Sequence, residues 1–261
     1  MKYLNKIFPI IIVIFLAIQS FAQTKGDTIV IKPEDLVMKN LRTGNSAYLV
    51  FRKKTKQSPS ESITLVKIKV ESKTHNNKPA FAITQQWDSD GNIAHTAYTV
   101  LDAKDFSTLL HDTYWKRLGY SQKFDFEARK VYFDGNVPDA DKAKTEQDFN
   151  ESFNNYNLNW HSDLIIFTLL PYKENRIFKI NFFDPGFGKA QEAIYTVTGS
   201  NFLTNSAGKK IDCWVIEHKP ASVNGYQKFW ISKKTKEVLK EEDLFNGIYR
   251  YKLKLEVAEE N

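Results

Sequence analysis

The chain has a single cysteine, Cys213, among its 261 residues. No intramolecular disulfide can form, which excludes a small cross-linked scaffold and leaves an apolar core as the source of stability. A cysteine pair for zinc is excluded on the same ground. Cys213 lies between Ile211 and Val215 in an alternating apolar pattern and reads as a small buried hydrophobe. Motifs that carry chemistry are also missing. There is no His-Glu-x-x-His and no Gly-x-Ser-x-Gly. Asp184-Pro-Gly-Phe-Gly-Lys189 lacks the spacing of a phosphate loop, and Ala190 stands where Ser or Thr is needed, so it reads as a turn between strands. None of the five histidines, His75, His95, His111, His161 and His218, has a metal-type partner at close spacing. His111-Asp112 and Glu217-His218 are adjacent pairs, and neighbours on a strand point to opposite faces. Asp163 beside His161 reads as an acid at a helix start. No catalytic residue, metal or cofactor is assigned, and the chain is read as non-enzymatic.

Long charged or apolar runs are scarce too. The largest basic cluster is Arg52-Lys53-Lys54 with Lys56 nearby, which reads as the solvated end of a strand; no nucleic-acid partner is expected. The apolar run Ile10 to Ile18 is too short for a membrane span, which needs about 20 residues. It follows Lys2 and Lys6 and precedes Ser20-Phe21-Ala22, the layout of a signal peptide over residues 1–22 cut between Ala22 and Gln23. No cysteine follows for lipid attachment. Removing 22 of the 261 residues leaves 239, and losing Lys2 and Lys6 lowers the formal charge from +6 to +4. The expectation is a periplasmic or extracellular protein of a Gram-negative envelope. After cleavage it is not an integral membrane protein.

What is present is alternation with period two, the mark of half-buried strands. Tyr249, Tyr251, Leu253, Leu255 and Val257 alternate with Arg250, Lys252, Lys254 and Glu256, which predicts an apolar buried face and a charged outer one. Val66, Ile68 and Val70 follow the same rule, as do Phe178, Ile180 and Phe182, then Tyr195 and Val197. Turn residues separate these runs at Asp88-Ser-Asp-Gly91, Asp134-Gly135, Asn205-Ser-Ala-Gly208, Asn224-Gly225 and Asn246-Gly247. The gaps are too short for helical crossovers, so neighbouring strands should pair antiparallel. Residues 23–261 are read as one mainly β domain with minor α: a curved antiparallel meander sheet or half-barrel enclosing a short apolar helix. An outer-membrane barrel is a weaker reading, because polar residues interrupt many strands on both faces.

Three segments break the pattern. Pro33 to Leu41, ended by Gly44, carries helix start and stop signals. Ser162 to Leu170, stopped by Pro171, is apolar on nearly every side, so it is expected as a buried helix capped by Ser162 and plugging the concave side of the sheet. Residues 135–160 are long and polar and are expected as a mobile loop, with a weak surface helix over 140–153 as the alternative. The chain also holds 19 Phe, 12 Tyr and 5 Trp. These fill a thick core, or else some line a cavity for an acyl chain. Phe167, Phe178, Phe182, Trp214 and Trp230 are the candidate lining residues.

From about His111 to Leu255 the chain resembles a family of exported bacterial β-rich domains of unknown function. The likeness lies in a succession of features. Phe124-Asp-Phe126 and Val131-Tyr-Phe-Asp-Gly135 come first, then Leu169-Leu170-Pro171 and Tyr195-Thr-Val-Thr-Gly199. Gly208-Lys-Lys-Ile-Asp-Cys-Trp-Val-Ile216, Phe229-Trp-Ile-Ser-Lys233, Glu237-Val-Leu-Lys240 and Gly247-Ile-Tyr-Arg250 complete it. Such domains look similar in architecture to the Lol-type (LolA/LolB-like) periplasmic lipoprotein carriers. The resemblance implies a half-barrel and a lipid or acyl-chain ligand; it brings no catalytic residues. Two functions remain open at this point: an envelope protein that binds a lipid-like or acylated ligand, and a protein–protein interaction module in cell-envelope assembly.

Overall fold

The structure, a computed structural model, describes residues 27–220 and 224–256. The signal peptide read over 1–22, with its cut at Ala22 and Gln23, lies outside the described residues. The first half of the chain forms β1 (Thr28–Val30), β2 (Gly44–Lys53), β3 (Glu61–His75), β4 (Lys78–Ser89), β5 (Asn92–Asp102), β6 (Thr108–Trp115), β7 (Tyr120–Asp125) and β8 (Lys130–Asp134). Helix α1 (Asp139–Ser152), the two-residue β9 (Leu158–Asn159) and the short α2 (Asp163–Ile166) follow. The second half adds β10 (Ile177–Phe183), β11 (Gln191–Thr204), β12 (Lys210–His218), β13 (Gly225–Ser232), β14 (Val238–Phe245) and β15 (Ile248–Leu255).

All the strands join one sheet in the order β1-β10-β11-β12-β13-β14-β15-β2-β3-β4-β5-β6-β7-β8, with β9 beside β10. Two meanders are thus stitched together where β15 pairs antiparallel with β2, Tyr251 opposite Phe51. Among the described strands, only β1 and β9 run parallel to their neighbour β10. Tight turns with left-handed backbone drive the hairpins: Asp90-Gly91, Asn246-Gly247 and Asn76-Asn77 all hold positive φ. Register shifts at Val50/Arg52, Trp87/Asp88, Val100/Leu101, Val197/Gly199 and Trp230/Ile231 bend the strands, because each extra residue sharpens the local twist. The result is a curved sheet that does not close. Gly225 marks a close approach: a Cβ there would sit 1.7 Å from the Leu244 carbonyl oxygen.

The concave side holds the core. Val66, Ile68, Val70, Phe178, Ile180, Phe182, Tyr195 and Val197 are buried there, on the parity their alternation predicts. Residues 160–170 fill the hollow, but not as one helix. A 3-10 turn, Trp160–Ser162, leads into the single α turn of α2, and a second 3-10 turn, Phe167–Leu169, follows. Leu164, Ile166, Phe167, Leu169 and Leu170 all reach the core, and repeated changes of helical pitch are what let them do so. Ser162 makes no side-chain cap; Asn159 Oδ1 accepts from the His161 N–H at 2.9 Å instead.

Two further expectations are corrected. Pro33 to Leu41 forms two 3-10 turns, Pro33–Asp35 and Met38–Asn40, rather than a helix. The Val37 N–H donates to Leu169 O at 2.8 Å, and Leu36 is drawn into the core, which breaks the run between the turns. Residues 135–160 are not a mobile loop: α1 occupies most of them. Its Phe149 is buried against Phe124, Phe126 and Phe183, so the helix bridges β7 to β10 across the open seam. Phe149, with Phe153 at the end of the helix, makes that contact, too little to show as hydrophobic periodicity in the sequence.

Candidate functional site

β15 faces the opposite way from the sequence expectation. Lys252 is buried, 6 % exposed, while Tyr249, Tyr251 and Leu253 are half-buried on the outer side. The cause lies on β14. Lys240-Glu241-Glu242-Asp243 places charge at both parities, so one parity has to face inward. Glu241 and Asp243 do so, and the register sets Lys252 and Arg250 directly opposite them. Arg250 Nε donates to Asp243 Oδ2 at 2.6 Å and its Nη2 to Glu241 Oε1 at 2.8 Å. Lys252 Nζ lies 2.5 Å from Glu241 Oε2. Asp163, at the start of α2, feels both Lys252 and Glu241.

Glu241 and Asp243 therefore share two cations in a buried layer, with the Asp163 carboxyl close enough to feel the same charges. Burial first, and the Glu241 charge second, raise the Asp243 pKa above the usual carboxylate value. Burial pushes Glu241 in the same direction, but Lys252 and Arg250 outweigh it and hold Glu241 ionised. Asp163 is raised, again by burial first. This layer escaped the sequence reading, although acids on both parities of one strand were its signal.

A second polar group faces the same concavity from the other half of the sheet. The His161 ring lies between His111 and His95, at centroid distances of 4.7 and 5.3 Å. His95 Nδ1 donates to the Tyr114 carbonyl at 2.8 Å, and its ring stacks on Trp115 at 3.6 Å. His111 Nδ1 meets Thr99 Oγ1 at 2.9 Å. Asp184 Oδ1 is 3.2 Å from His161 Nδ1, and Phe187 packs edge-on against Trp115. The turn at 184–188 thus sits over the trio. Burial lowers the His95 pKa to about 3 and the His111 pKa well below the usual imidazole value, so both rings are neutral. Gln85 ties this group to residues 160–170, its Nε2 donating to the His161 carbonyl. The sequence could not place these residues together, since they come from β5, β6 and residues 160–162. Among the described residues, no group of His, Cys, Asp and Glu is arranged to hold a metal ion.

The aromatic candidates separate. Phe167, Phe178 and Phe182 are fully buried in the main core, where Phe167 also meets Tyr195 and Phe229 at 5.0 and 4.7 Å. Trp214 is partly buried at the edge of that core, stacked near Tyr172. Trp230 is on the other face of the sheet, beside Cys213 and Val215, with Lys240 Nζ 4.1 Å above its ring. Cys213 is buried as expected, and burial raises its thiol to about 11, which leaves it unreactive.

Trp230 belongs to an apolar floor that continues into an open groove of about 1140 Å³ on the outer face. Leu203 and Ile211 of the β11–β12 hairpin form one wall; Leu239, Leu253 and Leu255 form the other. Ser206 Oγ, at the hairpin tip, donates to the Glu256 carboxylate at 3.3 Å and holds the hairpin against β15. The groove exists because β15 turns its leucines outward while its cations satisfy Glu241 and Asp243 inside. Among the described residues no helix is long and apolar enough to cross a membrane.

Comparison with known proteins adds family membership. No curated protein matches the sequence. Among solved structures, a β-barrel-like protein of the domain of unknown function DUF1849 from Brucella abortus is similar at 7 % identity and a TM-score of 0.35, over 83 % of this chain and 98 % of that one. The hypothetical lipoprotein YmcC from Escherichia coli (K12) is similar at 8 % identity and a TM-score of 0.26, over 86 % and 91 %. Residues 60–254, most of the chain, match the model of one family, and the chain belongs to that family, described as "Protein of unknown function (DUF3108)".

Proposed function

We propose that this is an exported, non-enzymatic envelope protein that binds an apolar or acylated ligand in the outer groove. The single observation that carries the reading is that groove: five aliphatic side chains face each other across about 1140 Å³, against the roughly 300–1,000 Å³ usual for a ligand site. The core aromatics Phe167, Phe178 and Phe182 pack against one another and the core around them, so the ligand belongs outside the sheet rather than within it. The resemblance to Lol-type lipoprotein carriers, drawn from the order of sequence motifs, is in keeping with the same ligand class. An acyl chain in such a groove gains about 0.8 kcal/mol per buried methylene, which is about fourfold in affinity for each added carbon.

The test is calorimetry of residues 23–261 with a series of single-chain fatty acids from eight to twelve carbons. Affinity should climb with each methylene. Leu253→Glu, which puts a charge in one wall, should weaken the twelve-carbon ligand by more than tenfold. Affinity independent of chain length would refute the reading.

A further inference from the structure

The groove ends at a rim that it shares with a second depression. Gly44, Asn45, Glu237 and Lys254 line both. The second depression, about 260 Å³, opens into the concave side and is floored by Tyr48, Val70, Leu164, Ile165 and Val238. A continuous depression thus runs from the outer leucines, over a polar rim of Gly44, Asn45, Glu237 and Lys254 at the end of the sheet, to the top of α2.

Charge gathers where the two depressions meet. The Lys254 ammonium pairs with the Glu237 carboxylate. Arg42, exposed at the edge of the inner depression, is near enough to Glu237 to help lower its pKa; burial pushes the other way, and Lys254 contributes most to overcoming it. Among the described residues the Arg42 guanidinium has no hydrogen-bonding partner. Lys240, the other cation of the groove, is committed to Glu242 at 3.0 Å. Lys254 and Glu237 thus cancel at the rim, Glu256 lies at the outer end of the groove beside Ser206, and the Arg42 guanidinium at the inner edge pairs with no described residue. A carboxylate matches that fork with two parallel N–H···O bonds.

We propose that the junction recognises the carboxylate of a fatty-acid anion, whose chain lies along the leucines of the outer groove; this rests on the apolar-ligand reading above. Arg42 takes the head group in a bidentate pair. Lys254, held in place by Glu237, stands on its other side. The chain then runs outward over Leu253 and Leu255. A neutral chain of the same length gains the apolar contact and forgoes the ionic one.

The experiment compares laurate with 1-dodecanol, both below their aggregation limits, by calorimetry on the mature chain at pH 7.5. Laurate should bind at least tenfold more tightly. Arg42→Gln should abolish that preference while leaving dodecanol affinity within twofold, and because Arg42 is exposed the variant should melt at the wild-type temperature. Lys254→Gln should reduce the preference less, since Arg42 remains. Equal affinity of laurate and dodecanol for the wild type, or a preference that survives Arg42→Gln, overturns the head-group assignment and leaves the groove intact. If neither compound binds, the apolar-ligand reading falls and this proposal falls with it.

Discussion

His95 should make this protein lose stability in mild acid, before most carboxylates titrate. In the fold its ring is fully buried, neutral, stacked on Trp115 and beside His161, and burial holds its pKa at about 3. In the unfolded chain an imidazole titrates near 6.5. The unfolded state therefore takes up a proton first as pH falls. The His95 contribution is fully present above 6.5 and is lost progressively between 6.5 and about 3. At pH 5 that single linkage amounts to about 2 kcal/mol relative to pH 7.5. His111 acts in the same direction, and the raised carboxyls Asp163 and Asp243 act against it. Comparison with a variant isolates the term. Urea unfolding of the wild type and of His95→Gln, each at pH 7.5 and pH 5.0, should show the variant losing about 2 kcal/mol less over that interval, whatever its stability at pH 7.5. Equal losses in both proteins would refute the burial argument.

Two more substitutions probe the interior. Asp243→Asn should cost less than Glu241→Gln at pH 6, because burial and the Glu241 charge raise the Asp243 pKa, whereas Glu241 is held ionised by Lys252 and Arg250 and loss of their counter-charge should cost about 3–5 kcal/mol; similar costs measured by urea unfolding would refute that division of charge. Phe149→Ala removes the ring that bridges the seam between β7 and β10 and should cost about 3–5 kcal/mol, with amide exchange accelerating first across α1; unchanged protection of α1 would mean that its other contacts suffice.

The sequence by itself determined the class of fold. A strand has only two faces, so the alternation of Val66, Ile68 and Val70, or of Phe178, Ile180 and Phe182, settles that these segments are half-buried strands. Asp90-Gly91 and Asn246-Gly247 settle that neighbours return as hairpins. Period two does not say which face is inside. That choice was made by the partner strand: Glu241 and Asp243 face inward on β14, so Arg250 and Lys252 follow them and the β15 leucines are left outside to line a groove. The same limit hid the histidine trio and the Phe149 contact, where side chains far apart in sequence meet only because the sheet bends. Local pattern is written in bonds one or two residues long; the sign of a buried layer depends on register between strands, and register is a property of the assembled sheet.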